Sequence, residues 1–181
     1  PAFYTDYVKQ RTHGSFRWWL EYSGGKLTDW GAHHNDIAQW GLGMDRSGPV
    51  MVEAEGKHPN MGRNAYNVFP EYKITYTYAS GVTVVCGSHI GDNGIKFNGE
   101  NGWIFVNREK IEASEKALLD EPLPAGAVKL YESNNHMANF LECMRTRKQP
   151  VCDAEIGHRS VTVCHLGNIS LRLNGRRLKW D

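Results

Sequence analysis

The sequence predicts an α+β fold, with helices gathered on one face of a large, mostly antiparallel, open β-sheet. Three observations carry this. A central stretch of β-branched and aromatic residues alternates with period two and is punctuated by Gly-rich turns. Two later segments repeat their apolar residues at helical spacing. With 181 residues the chain has the size of one domain, long enough to bury a core without metals or disulfides, so residues 1–181 are expected to form one unit.

The first thirty residues hold Phe16, Trp18, Trp19, Tyr22 and Trp30, interleaved with Arg11, Arg17 and Glu21 and broken by Gly24-Gly25. They read as a loop or short strand leading into a helix. From Asp29 to about Leu42 the pattern is helical; Asp29 can cap the first turn and Gly43 can stop the last. Strands follow at Val50 to Ala54, Tyr72 to Tyr78 and Val82 to Cys86, the last two joined by an Ala79-Ser80-Gly81 turn. Ile95 to Phe97, Trp103 to Val106 and Lys110 to Ala113 extend the series, with Asn98 to Gly102 as a turn. Residues 115–130, with Pro122, Pro124 and Gly126, fit neither period and read as a surface connection. Two helices close the chain. Asn135 to about Arg147 carries Met137, Phe140 and Leu141, and Ala154 to about Leu173 carries Val161, Cys164, Ile169 and Leu173 at helical spacing. There is no internal repeat and no low-complexity segment.

Composition excludes several classes. Lys and Arg total 21 against 20 Asp and Glu, and no stretch concentrates one sign, so a nucleic-acid partner is not expected. The longest apolar runs fall far short of the roughly 20 residues that a spanning helix needs, and no signal-like segment opens the chain, so a soluble protein is expected. The chain begins at Pro1 rather than Met, which suggests a fragment or processed product and leaves cytoplasmic and exported locations both open. Cys86, Cys143, Cys152 and Cys164 are scattered and read as reduced, mostly buried thiols.

The segment from Gly24 to Asp36 holds the most chemistry. On a helix, Asp29, His33, Asp36 and Trp40 fall at i, i+4, i+7 and i+11, so two carboxylates, an imidazole and an indole share a face. His titrates nearest neutrality, and a carboxylate one turn away can fix its tautomer and hold its charged form. His33 is therefore the candidate general base and Asp29 its orienting partner. The same spacing also suits an N-cap beside a solvated helix pair, and spacing alone does not choose between them.

At these residues the chain resembles the Gfo/Idh/MocA oxidoreductases, whose C-terminal domain carries a Gly-Gly-x-Leu-x-Asp-x-Gly-x-His-x-x-Asp pattern. Gly24, Gly25, Leu27, Asp29, Gly31, His33 and Asp36 match it. The likeness extends over the whole chain. It is closest to a bacterial subgroup at Phe16-Arg17-Trp18-Trp19, Asp29 to Trp40, Phe97 to Trp103 and Asp153 to Ser160. The resemblance implies a domain like the C-terminal half of glyceraldehyde-3-phosphate dehydrogenase, whose open sheet pairs subunits into dimers or tetramers. It also implies a hydride moved between a carbinol carbon of a sugar, polyol or glycoside and NAD or NADP, with Asp29 and His33 at the substrate hydroxyl. The family's dinucleotide loop and its Glu-Lys-Pro motif belong to an N-terminal Rossmann half that these residues do not contain. Gly91-Asp92-Asn93-Gly94 lies between expected strands and opens no helix, so this chain alone is expected to bind no NAD and to be inactive.

Arg17 and Trp19, with Trp18, are further candidates, since aromatic faces stack on C–H-rich sugar surfaces and Arg supplies forked donors; core packing is the other reading. His34, pointing about 100° from His33, either borders the same pocket or faces the sheet, and Asp36 is a further substrate-binding candidate. Arg159, beside His158, could meet an anionic group or serve only in an ion pair. His89 sits at a strand end. Asp29, His33, His34 and Asp36, with His136, could instead ligate zinc or manganese in a sugar lyase or hydrolase, but no second pair has ligand spacing, so no metal is expected. A non-catalytic sugar-binding or oligomerisation module is the third possibility. Tyr72, Tyr76 and Tyr78 on one alternating face read as a subunit interface.

Overall fold

A computed structural model describes residues 4, 6–59 and 65–180. It is α+β, with antiparallel sheets and helices. The chain divides into two compact units, one formed by residues 1–92 and 158–181 and the other by residues 93–157.

In the first unit, three 3₁₀ turns at Lys9–Arg11, His13–Trp18 and Gly25–Leu27 precede helix α1, Trp30–Gly41. The expected loop or strand is thus a set of tight turns. Strands β1 (Met51–Lys57), β2 (Glu71–Thr77) and β3 (Thr83–Gly87) follow, and β7 (Leu178–Lys179) pairs with β1 from the far end of the sequence. The strand order is β3-β2-β1-β7, antiparallel throughout. The β2–β3 turn works through Gly81 at φ 87°, with the Tyr78 amide donating to the Val82 carbonyl.

Strand pleating sends alternate residues to opposite faces. Val52 and Ala54 on β1 meet Tyr76 and Ile74 on β2, and Cys86 and Val84 on β3 continue that face. With Leu27, Phe69 and, from helix α4 (Ala154–Arg172), Val163, Cys164 and Leu171, they form the core. This corrects one expectation: Tyr72, Tyr76 and Tyr78 are core residues of this unit, not a subunit interface, because the face they share lies beneath the helices. Helix α1 buries Gly31, Asn35, Ala38 and Gln39, and Gln39 accepts the Tyr78 hydroxyl proton. The other sheet face is open. It carries the cross-strand ion pairs Glu55–Lys73 and Lys57–Glu71, both at 3.4 Å, and Glu53–Arg177 at 3.7 Å.

In the second unit, β4 (Ile95–Gly99), β5 (Gly102–Val106) and β6 (Ile111–Ala113) form an antiparallel sheet in that order. The large sheet expected from the sequence is therefore two sheets among the described residues, of four and three strands. A short helix α2, Ala117–Asp120, interrupts the surface connection, and α3, His136–Thr146, is capped by Asn135, whose side chain accepts from the Ala138 amide at 2.9 Å. No disulfide joins the four cysteines; Cys143 and Cys164 are buried, Cys86 is partly buried and Cys152 is exposed.

Candidate functional site

The Gly24-Gly25 pair sets the approach to α1. Asn168 on α4 donates to the Gly24 carbonyl at 3.0 Å, and a Cβ at Gly24 would come within 2.6 Å of that amide nitrogen. Gly25 adopts φ 72°, and a Cβ there would come within 2.8 Å of the Val68 Cβ. Only glycines let the chain pass so close. Leu27 then plugs the core and Asp29 starts the helix.

Asp29 occupies the N-cap but its side chain caps nothing. Its carboxylate lies 3.3 Å from the Arg17 guanidinium, and no hydrogen bond joins it to His33 among the described residues. The expected carboxylate–imidazole pair is thus replaced by an Arg17–Asp29 ion pair one turn before His33. His33 is exposed on the side of α1 opposite the buried stripe, with its ring 6.1 Å from that of Trp30. The half-buried His34 lies 5.9 Å from the same indole. Trp30, 41% exposed, and Trp40, 39% exposed, complete an open face that the first unit does not cover.

Asp36 turns toward α4 and accepts from the Ser160 hydroxyl. The residue before it, Arg159, places its guanidinium 5.7 Å from the centre of the Trp180 ring. Trp19 departs from expectation: it is only 2% exposed, its indole donates to the Gln10 carbonyl at 2.8 Å, and the Arg11 guanidinium covers its face at 3.7 Å. A ring sealed in this way packs the fold and has no face left for a substrate. His89 and His158 are exposed. Among the described residues no group of three or more His, Cys, Asp or Glu side chains is placed to hold a metal ion, so Asp29, His33, His34, Asp36 and His136 form no donor set.

A cleft of about 500 Å³ in the first unit has walls that include Trp18, Lys26, Tyr66, Val68, Phe69 and Pro70. Asn67 builds it. Its Oδ1 accepts from the Leu20 amide at 2.8 Å, its Nδ2 donates to Glu21 at 2.8 Å, and its own amide donates to the Trp18 carbonyl at 3.2 Å. Lys26, Tyr66 and Asn67 gave no signal in the sequence, since loop contacts across more than forty residues leave no period to read.

A dinucleotide needs a Gly-rich turn that opens a helix, so that backbone amides face its phosphates. Gly91 to Gly94 lies between β3 and β4, and Gly41-Leu42-Gly43 ends α1 instead of starting a helix. The described residues do not fit such a cradle.

The fold is that of the C-terminal α/β domain of oxidoreductases. A family model described as "Oxidoreductase family, C-terminal alpha/beta domain" matches residues 1–181, and the chain belongs to this Gfo/Idh/MocA family. Among solved structures, the chain is similar to aldose-aldose oxidoreductase from Caulobacter crescentus, complexed with glycerol, at 20% identity and TM-score 0.66, covering 92% of this chain and 51% of that one. An NAD-binding protein from Listeria innocua aligns at 16% identity and TM-score 0.63, covering 93% and 55%. The WlbA dehydrogenase from Bordetella pertussis, in complex with NADH and UDP-GlcNAcA, aligns at 16% identity and TM-score 0.57, covering 89% and 46%. The chain thus spans about half the length of these proteins. No curated protein matches it.

Proposed function

We propose that the protein containing this chain oxidises or reduces a carbinol carbon of a sugar or polyol with NAD or NADP, and that His33 carries the hydroxyl proton. The observation that supports this reading is the open face of α1. An imidazole is exposed there beside Trp30, one turn beyond a carboxylate held by arginine. In the oxidative direction His33 accepts the proton as the C–O bond gains double-bond character; in the reductive direction it returns the proton. Asp29, neutralised by Arg17, keeps that end of the site polar and fixes the guanidinium for a substrate oxygen. His34 and Asp36 border it. The redox chemistry belongs to the dinucleotide, which this reading assigns to a nucleotide-binding half outside these residues. The relatives whose structures hold NADH and a UDP-sugar, or glycerol, support that assignment. This chain by itself is then inactive. Two copies pair through the open sheet face that carries Glu53, Glu55 and Lys73.

The test is His33→Ala in the protein that includes both halves. Turnover should fall by roughly 10²–10⁴ with the far-UV circular dichroism unchanged. Unaltered turnover would remove His33 from the chemistry.

A further inference from the structure

We propose that helix α3 is the seat of a second copy of this chain, the two helices lying antiparallel across a two-fold axis. The contact is additional to the sheet pairing proposed above. Met137, Phe140, Leu141 and Met144 fall at i, i+3, i+4 and i+7 and form one apolar stripe, and each is more than half exposed. Cys143, on another side of the helix, is its buried residue. A helix of 11 residues is marginal in water by itself and is held mainly by burying its apolar stripe. In α3 that stripe faces outward, so another surface must cover it.

Area, symmetry and charge point to a second copy. Tyr131, whose hydroxyl accepts from the Asn139 side chain at 2.8 Å, is tied beside α3, and Leu130 precedes it; both are more than half exposed. At roughly 200 Å² for a large apolar side chain, these two and the stripe together offer about 600–700 Å². Each partner of a stable interface contributes on the order of 600–1,000 Å². The stripe also reads the same in both directions about the Phe140–Leu141 step, so reversing one helix sets Met137 on Met144 and Phe140 on Leu141. A two-fold contact uses one patch twice and needs that property. Arg147 and Lys148 follow the C-terminal end of α3, and Glu132 precedes its N-terminal end. Antiparallel packing brings the basic end of each copy to the Glu132 of the other and aligns the helix dipoles head to tail; parallel packing would set like charges together. On the flank, Glu142 and Arg145 already pair within the helix. The nucleotide-binding half of the reading above has a different seat, because it must reach the open face of α1 in the first unit, whereas α3 belongs to the second.

Sedimentation equilibrium of the protein tests this, with Phe140→Glu, Leu141→Gln and Glu132→Lys beside the parent. Phe140 and Leu141 are exposed within one chain, so their variants should keep the far-UV circular dichroism of the parent. Phe140→Glu should halve the mass: from four copies to two if the sheet also pairs, from two to one if it does not. The second result sinks the sheet pairing and leaves this contact standing. Leu141→Gln should raise the concentration at which the assembly dissociates by about tenfold or more. Glu132→Lys should raise it too, and adding Lys148→Glu should bring it back. The inference is overturned if the parent sediments as a single copy, or if Phe140→Glu and Leu141→Gln leave mass and dissociation unchanged. It is equally overturned if those two variants lose circular dichroism with no change of mass, since the stripe is then covered within one polypeptide. An unchanged dissociation in Glu132→Lys overturns the antiparallel arrangement.

Discussion

Asp29 shows how single residues here answer to more than one force. It stands where a cap should stand, yet the Arg17 guanidinium holds its carboxylate and the first amides of α1 go without it. Sequence spacing found the helix and placed His33 on it, but could not reveal that an arginine twelve residues upstream would claim the carboxylate. Glu21 shows a similar contest. Burial alone would raise its pKa, but the Asn67 amide at 2.8 Å, a backbone hydrogen bond and Arg11 at 3.4 Å outweigh it, and the carboxyl sits below its ordinary 4.5. A carboxyl depressed on folding stabilises the fold above its unfolded pKa, and that contribution is lost as pH falls through the folded value. Melting temperature measured downward from pH 5 should therefore fall less steeply in Glu21→Gln than in the parent. The cysteines give a third case. Burial pushes the Cys86 thiol up to about 11 and Cys164 to about 12, each receiving the Asn35 amide, at 3.8 and 3.4 Å. Since the thiolate is the nucleophile, an alkylating reagent at pH 8 should label exposed Cys152 first and reach Cys86 and Cys164 only on unfolding, as read by mass spectrometry.

At the scale of elements, α4 packs on the sheet through Val163, Cys164 and Leu171, and comes closest to it at Gly167. A Cβ on Gly167 would come within 2.6 Å of Ile74 Cδ1 and 2.8 Å of the Tyr76 hydroxyl oxygen. Gly167→Ala should therefore destabilise the chain by about 1–3 kcal/mol in denaturant unfolding, although alanine is the better helix former. The strong periods were readable. β1 to β5 and α1, α3 and α4 lie within a few residues of where alternation or helical spacing put them, because each must bury one stripe. The weak elements were not. β7 has two residues and exists only because β1 offers an edge, and the 3₁₀ turns before α1 follow from tertiary ties such as the Trp19 indole to the Gln10 carbonyl. The tyrosines of β2 were seen as one face, but alternation says only that a face exists. Which side the helices cover is decided by residues as distant as Leu171.

For the whole molecule, the open side of the four-stranded sheet is the surface that the proposed pairing of copies would use. Light scattering on the eluting protein should give twice or four times the 20.5 kDa chain mass at micromolar concentration. A single-chain mass would discard that arrangement. Val52 on β1 takes Leu178 as its neighbour, and the helix that roofs the same sheet comes from residues 154–172. During synthesis, then, the first hairpin leaves the ribosome roughly 10 s before the partners that finish it, at ordinary elongation rates. Through that interval the nascent sheet has an unroofed aromatic side and an unpaired border, where the charges of Glu53, Glu55 and Lys57 along β1 disfavour edge-to-edge joining with a neighbouring chain. Exchanging them for neutral residues would burden chaperones before it altered the finished fold.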